Sequence, residues 1–101
     1  MKYNKLVRDK IPEIIKQKGK IPTTHIADNE EYWQSLKKKL REEIDEFLKE
    51  SNKEELSDIL EVIWAICDFK EIDKQDLENL RKKKAKQRGG FKKRIILEEV
   101  K

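Results

Sequence analysis

Acidic side chains are the residues of this sequence whose types and spacing could do chemistry. They are concentrated in LREEIDEFLKESNKEELSDILEVI, between positions 40 and 63. If the first half of this run is a helix turning by about 100° per residue, Leu36, Leu40 and Phe47 form an apolar stripe. Glu43 falls inside that stripe, and Glu46 falls at its flank one turn further on. Carboxylates at such positions need a counter-charge, because burying an unpaired charge is costly.

The second half of the run predicts a helix with a much wider apolar arc. Apolar residues cover most of its circumference, which is typical of a helix at the centre of a bundle or in a dimer interface. They are Leu56, Ile59, Leu60, Val62, Ile63, Trp64, Ile66, Cys67 and Phe69. Glu55 falls between Val62 and Ile66 in this arc, and Asp58 falls at its edge.

An antiparallel hairpin with its turn near Ser51 would bring these acids together. Glu46 is then level with Glu55 and Glu43 with Asp58, and the two levels are about 4.5 Å apart along the helix axis. We expect no lysine inside the apolar arcs, so the four carboxylates would repel one another beside apolar walls. A divalent cation relieves this repulsion, and an oxygen-only site suits Mg²⁺, with Mn²⁺ as a second candidate.

A short first helix is predicted before the acidic run. Asp9 is expected to cap it, with the helix beginning near Lys10, Pro12 in its first turn and Gly19 at its end. The segment KIPTTHIAD that follows predicts a connector that is briefly extended. The segment FKKRIILEEV, near the end of the sequence, predicts a short strand that could pair with this connector.

Three long helices are predicted after the connector. The first two open at capping boxes, in which a side chain bonds a backbone N–H three residues on. The boxes are Asp28 with Glu31 and Ser51 with Glu54, and the helices run to about Glu50 and Lys70. A third helix is expected from about Lys74 to Arg88, where Gly89 and Gly90 end it. These elements predict an all-α helical bundle built on an antiparallel helix hairpin, with a short terminal β-pairing.

The composition predicts one domain with a thin core. The sequence has 101 residues, of which 36% are hydrophobic and 46% are charged, but its 25 basic and 21 acidic residues nearly balance. A charged surface over a periodic apolar stripe fits this better than disorder does, and so small a core favours a homodimer or homotetramer. Cys67 alone cannot form an internal disulfide, and no apolar run is long enough to span a membrane. Since no apolar secretory region begins the sequence, we expect a cytoplasmic protein.

The acidic run resembles the signature of the all-α nucleoside triphosphate pyrophosphohydrolase superfamily, the MazG-like and phosphoribosyl-ATP pyrophosphohydrolase-like proteins. That signature is E-E-x-x-E on one helix and E-x-x-D on the next, and the matching segments here are EEIDE (42–46) and ELSD (55–58). NKLVRDKIPEII and RGGFKKRI are also similar to segments of the compact single-domain members. The resemblance implies that residues 1–101 form one such domain, with Glu43, Glu46, Glu55 and Asp58 as metal ligands.

The activity implied by this resemblance is Mg²⁺-dependent hydrolysis of nucleoside triphosphates to nucleoside monophosphate and pyrophosphate, in a homo-oligomer, as nucleotide-pool house-cleaning. Phosphoribosyl-ATP is a lesser candidate substrate for the same chemistry. Glu46 and Glu43 are the candidates for the general base that accepts the proton of the attacking water. The gap between the two acidic motifs is shorter than in many relatives, so a partner subunit is expected to complete the substrate pocket.

Basic residues are candidates for holding the phosphates. Lys84 and Arg88 lie at i,i+4 next to the two glycines, whose N–H groups could also approach a phosphate, and Lys83 is a further candidate. The alternative is that these cations only complement the C-terminal end of a helix dipole. Arg8 and Lys10 could reach the substrate from the first helix, although they fit a purely structural helix equally well.

Aromatic and histidine residues give weaker indications. Trp33 could stack on a nucleotide base, but its angle on the helix also places it in the core. His25 is interpreted as a loop residue without a catalytic role. Trp64 and Cys67 are interpreted as core residues.

Two other functions compete with the enzyme. The first is a non-enzymatic basic helical module, in which residues 81–94 bind nucleic acid through phosphate charge. Such a module has no use for four converging acids at the edge of the core. The second is a helical assembly protein whose acids form a solvated face paired with lysines. That interpretation is retained for the outward-facing or turn-proximal acids Glu42, Asp45, Glu50 and Glu54.

Overall fold

Four α-helices form the regular structure of the part of the protein that is described. The structure is a computed structural model and describes residues 4–101. Its helices are α1 (Ile11–Gln17), α2 (Asn29–Glu50), α3 (Lys53–Lys70) and α4 (Lys74–Arg88). The all-α fold is confirmed, and the three long helices have the predicted bounds to within one residue. None of the described helices combines the length and apolar character needed to span a bilayer.

The core lies between α2 and α3, which form the extensive helix–helix contact of residues 4–101. Leu36 of α2 is almost completely buried, and Val62 and Cys67 of α3 are buried with it. Near the start of α2 the ring of Trp33 stacks on Phe69 of α3, with 5.9 Å between ring centroids. The periodic apolar stripe of α2 therefore faces α3, as the helical hairpin predicted from the sequence requires.

The turn between α2 and α3 differs from the prediction by one residue. Ser51 ends α2 in the left-handed conformation, with φ 55°, and its N–H donates to the carbonyl of Phe47 at 2.7 Å. Asn52 caps α3 instead, accepting from the N–H of Glu55 at 3.3 Å. The prediction that Ser51 caps α3 is wrong, because the chain has to reverse before the extended cap residue can be placed. The prediction placed Glu46 level with Glu55 and Glu43 level with Asp58. The two-residue turn shifts α3 by about 3 Å along its axis from that alignment.

The other helix ends follow their local signals, with one exception. Asp28 accepts from the N–H of Glu31 at 2.9 Å, and α4 ends at Gly89, which has φ 84°. Asp9 does not cap α1: the cap position is Lys10, whose backbone is already close to helical and which has no side-chain cap bond. A capping side chain needs an extended cap residue to reach the free N–H groups, so the Asp9 prediction is wrong.

The predicted terminal β-pairing is not formed within residues 4–101, which contain no strand. No backbone hydrogen bond joins the connector at 20–28 to the segment FKKRIILEEV. The ring of Phe91 is 97% exposed, and Ile95, Ile96 and Leu97 are also exposed. A strand needs a neighbour to pair its backbone groups, and neither segment provides one for the other.

Much apolar surface is uncovered in the single chain. Leu60 of α3 is 49% exposed, and its neighbours on the same face, Leu56 and Trp64, are also partly exposed. The expectation that α3 is buried around most of its circumference, with Trp64 in the core, is therefore not met within one chain. The radius of gyration is 18.1 Å, against about 13 Å for a compact domain of this size. The fold places the acidic residues on the hairpin and leaves one apolar face of α3 uncovered.

Candidate acidic site

Glu43 is the buried acid of the α2–α3 hairpin. Only 6% of its surface is exposed, and among residues 4–101 no other charged or polar residue is as fully buried. One carboxylate oxygen, Oε1, lies 3.3 Å from the Nζ of Lys39. The other oxygen, Oε2, is buried and has no hydrogen-bond partner. Leaving such a group unsatisfied costs about 1–3 kcal/mol. A ligand that binds this carboxylate oxygen would remove that cost.

The surroundings of Glu43 disfavour its charged form. Burial raises the pKa of the Glu43 carboxyl above its ordinary value of 4.5, whereas the hydrogen bond and charge of Lys39 act in the opposite direction. The negative charges of Glu46 and Asp58 add to the rise in this pKa. Two of the other predicted ligands, Glu46 and Asp58, thus lie near enough to Glu43 to act on it electrostatically.

Lys39 is a counter-ion of the acidic site that the sequence interpretation missed. The expectation that no lysine neutralises the inward-facing acids is wrong, because the side chain of Lys39 is only 19% exposed and forms an ion pair with Glu43. The signal was present: Lys39 precedes Glu43 by four residues, which places both side chains on the same helix face. Its Nζ also lies 3.6 Å from Oε1 of Glu42, which agrees with the interpretation of Glu42 as an acid paired with lysine.

The N-terminal segment supplies two more cations to the hairpin. Nη2 of Arg8 donates to Oδ1 of Asp58 at 2.8 Å, and Nζ of Lys5 donates to Oε1 of Glu42 at 3.3 Å. These bonds connect residues that are far apart in the sequence, 50 positions in the case of Arg8 and Asp58. The candidate Arg8 therefore contacts the acidic site itself, whereas Lys10 stands at the start of α1.

The other two predicted ligands are less deeply placed. Glu46 is exposed and Glu55 is half-buried. Within residues 4–101, no three acidic, histidine or cysteine side chains are gathered closely enough to hold a metal ion. All four predicted ligands therefore lie on one hairpin, but their carboxylates do not meet at one point.

The donor chemistry nevertheless fits a hard divalent cation. The buried Oε2 of Glu43 lacks a partner, and the groups that surround it with negative charge, Glu46 and Asp58, offer oxygen donors alone. Mg²⁺ and Mn²⁺ prefer such oxygen ligands. A metal ion would satisfy the unpaired oxygen and would offset the repulsion by Glu46 and Asp58, which adds to the effect of burial on the pKa of Glu43.

The predicted phosphate-binding residues lie elsewhere in the single chain. Lys83, Lys84 and Arg88 are exposed on α4, and α4 does not share the extensive contact between α2 and α3. None of the ion pairs formed by residues 4–101 joins these three cations to the acids of the hairpin. If they act on the same substrate as Glu43, the structure of one chain does not bring them there.

Trp33 belongs to an aromatic cluster between α2 and α3. In addition to its stacking on Phe69, it has the Nζ of Lys70 4.1 Å from its ring centroid and that of Lys37 at 5.2 Å. Trp33 is ten residues from Glu43, about 15 Å along the helix. This packing explains the core position that its helical angle predicted. His25, in the connector, lies 2.9 Å from a carboxylate oxygen of Glu31 and away from the acidic site.

Comparison with known proteins identifies no family for this chain. No family model matches it, and no solved structure matches it. An uncharacterized protein from Mycolicibacterium smegmatis is 46% identical to it over 41 residues, which are 41% of this chain and 42% of that protein. The chain thus matches less than half the length of this relative, whose name describes no activity.

Proposed function

We propose that this protein is a Mg²⁺-dependent nucleoside triphosphate pyrophosphohydrolase, which cleaves an NTP to a monophosphate and pyrophosphate. The observation that carries the proposal is the buried Oε2 of Glu43, which has no partner and faces the charges of Glu46 and Asp58. A protein with no use for a cation would gain stability by replacing this carboxylate. The resemblance of EEIDE and ELSD to a pyrophosphohydrolase signature supports the same conclusion.

The proposed ligands are the four acids of the hairpin, Glu43, Glu46, Glu55 and Asp58. When bound, Mg²⁺ supplies positive charge to the phosphoryl oxygens and acidifies water. The side chain of Glu43 is fixed by its burial between two helices, which gives the site a rigid element. Glu55 and Asp58, in the first turns of α3, are free to adjust because they are only partly buried.

The carboxylates of α2 are the candidates for the general base that accepts a proton from the attacking water. Glu46 is exposed one turn after Glu43, so its oxygens can reach a water molecule that approaches from solvent. A carboxylate so placed can accept the proton from that water as it attacks the α-phosphorus. Glu43 is the second candidate, since it lies three residues before Glu46 on the same face of α2.

Substrate phosphates require cations that the single hairpin does not provide in sufficient number. Lys83, Lys84 and Arg88 would provide them if α4 of a second copy lay over the acids. The partly exposed face of α3 formed by Leu56, Leu60 and Trp64 supports such a homodimer or homotetramer, because apolar surface of this kind is usually covered. Residues Arg8 and Lys10 would then contact the phosphates from the N-terminal side.

The test is a panel of ribonucleoside and deoxyribonucleoside triphosphates, and phosphoribosyl-ATP, incubated with the purified protein and Mg²⁺. We expect pyrophosphate and the monophosphate from at least one substrate, and loss of this activity in Glu43→Gln. Glu61→Gln is the matched control, because Glu61 is an exposed glutamate on the polar side of α3. Release of orthophosphate alone would show that the α-phosphorus is not attacked.

The alternative function is nucleic-acid binding by the basic helix α4. Its cations between Arg81 and Arg88 are exposed and project from the hairpin, where phosphate groups could reach them. Binding of this kind is strongly salt-dependent and largely independent of base sequence. A fluorescence anisotropy titration with a labelled oligonucleotide distinguishes the two functions, since Lys84→Met would weaken this binding and Glu43→Gln would not.

A further inference from the structure

Two of the interacting acids of the site, Glu43 and Asp58, already hold a cation from the protein itself. Lys39 lies 3.3 Å from Oε1 of Glu43, and Arg8 lies 2.8 Å from Oδ1 of Asp58. Glu43 belongs to the α2 motif and Asp58 to the α3 motif, and Asp58 acts electrostatically on Glu43. One oxygen of each carboxylate is therefore already engaged, and the positive charge beside it opposes the approach of a divalent ion.

The two cations differ in how they are held. The side chain of Arg8 is 55% exposed and belongs to the segment before α1, which has no regular structure at that point. It can therefore leave Asp58 for solvent at small cost, since exposed ion pairs are worth about 0–1 kcal/mol. Lys39 is 19% exposed and is fixed to α2 by its own backbone, so its Nζ can swing only within the reach of its side chain.

We propose that Lys39 and Arg8 are exchangeable counter-cations of the acidic site, which a divalent cation displaces when it binds. This inference rests on the proposed metal site and adds its regulation. In the metal-free protein the two cations limit repulsion between Glu43 and Asp58. On metal binding Asp58 turns from Arg8 to the ion, and the N-terminal segment is released from α3 as a consequence.

Metal affinity measures this exchange directly. In a calorimetric titration of the folded protein with Mn²⁺, Lys39→Met and Arg8→Met should each lower the Kd about three- to tenfold, because a competing positive charge is removed. Methionine keeps the apolar stem of each side chain. The matched controls are Lys38→Met and Arg41→Met, since both residues are exposed on α2, and these variants should bind Mn²⁺ as the wild type does.

Hydrogen exchange provides the second measurement. Saturation of the wild type with Mn²⁺ should speed amide exchange in residues 4–10 and slow it in the facing parts of α2 and α3. Glu43→Gln should show neither change. Unchanged exchange in residues 4–10 of a protein that binds Mn²⁺ would overturn the proposed release of Arg8.

The outcomes separate this inference from the proposed function. If wild type binds Mn²⁺, Glu43→Gln does not, and the Lys39→Met and Arg8→Met variants bind with an unchanged or raised Kd, the exchange is refuted and the metal site stands. If neither wild type nor any variant binds Mn²⁺, the metal site and with it the proposed function fail. Lowered Kd values in both variants, with unchanged controls, support the exchange.

Discussion

Replacing Glu43 with glutamine separates the stability of the metal-free hairpin from its response to metal. Glutamine keeps the size of the side chain and removes the charge. Burial disfavours the charged carboxylate in the folded state, as the raised pKa of Glu43 indicates, whereas glutamine is neutral and its side-chain oxygen can still accept a hydrogen bond from Lys39. We therefore expect metal-free Glu43→Gln to be more stable by about 1 kcal/mol, or about 4–8 °C in Tm for a domain of this size.

The metal response should change in the opposite direction. A cation present at 100 times its Kd stabilises the folded state by about 2.7 kcal/mol, which corresponds to roughly 10–20 °C in the Tm of the wild type. In Glu43→Gln this gain should disappear, since the central carboxylate no longer carries a charge. Thermal unfolding followed by circular dichroism, near neutral pH and with or without millimolar Mg²⁺, measures both effects in one experiment.

Two results would refute the reasoning, and they refute different parts of it. A metal-free Glu43→Gln that melts below the wild type would mean that the buried carboxylate is better satisfied than its unpaired oxygen indicates. A variant that gains as much from Mg²⁺ as the wild type would remove Glu43 from the metal site. Glu61→Gln, which changes an exposed glutamate of α3, should leave both the metal-free Tm and the Mg²⁺ gain unchanged.

Three further predictions concern pH, the core and assembly. Burial raises the folded-state pKa of Glu43 above 4.5, so the folded state binds more protons than the unfolded state between the two pKa values. The free energy of unfolding of the metal-free protein should therefore fall as pH rises through that window. Urea unfolding at several pH values measures this fall, which should be absent in Glu43→Gln. Leu36 is only 1% exposed, so Leu36→Ala should lower the free energy of unfolding by about 2–5 kcal/mol in urea titrations. The control Leu48→Ala changes an exposed leucine of the same helix and should alter this free energy by less than about 1 kcal/mol. Leu60→Lys should reduce the molar mass measured by light scattering to that of one chain, and an unchanged oligomer would exclude this face of α3 from the interface.

Local interactions made much of the fold readable from the sequence. Asp28 caps α2 and Gly89 ends α4 as predicted, because a cap depends on residues within three or four positions of the helix end. Glu43 was identified from its angle among Leu36 and Phe47, since a helix repeats its faces every few residues. The Ser51 error had the same local origin: two adjacent residues, Ser51 and Asn52, could each cap α3, and chain reversal decided between them.

Tertiary structure decided how the acids are neutralised and which surfaces are left open. Lys39 could have been found from its spacing to Glu43, but Arg8 reaches Asp58 across 50 positions of sequence, and no local pattern specifies such a contact. The unpaired oxygen of Glu43 likewise depends on how closely α3 packs over α2. The physical reason is that capping and periodicity act within a few residues, whereas burial and ion pairing depend on which distant segments the fold brings into contact.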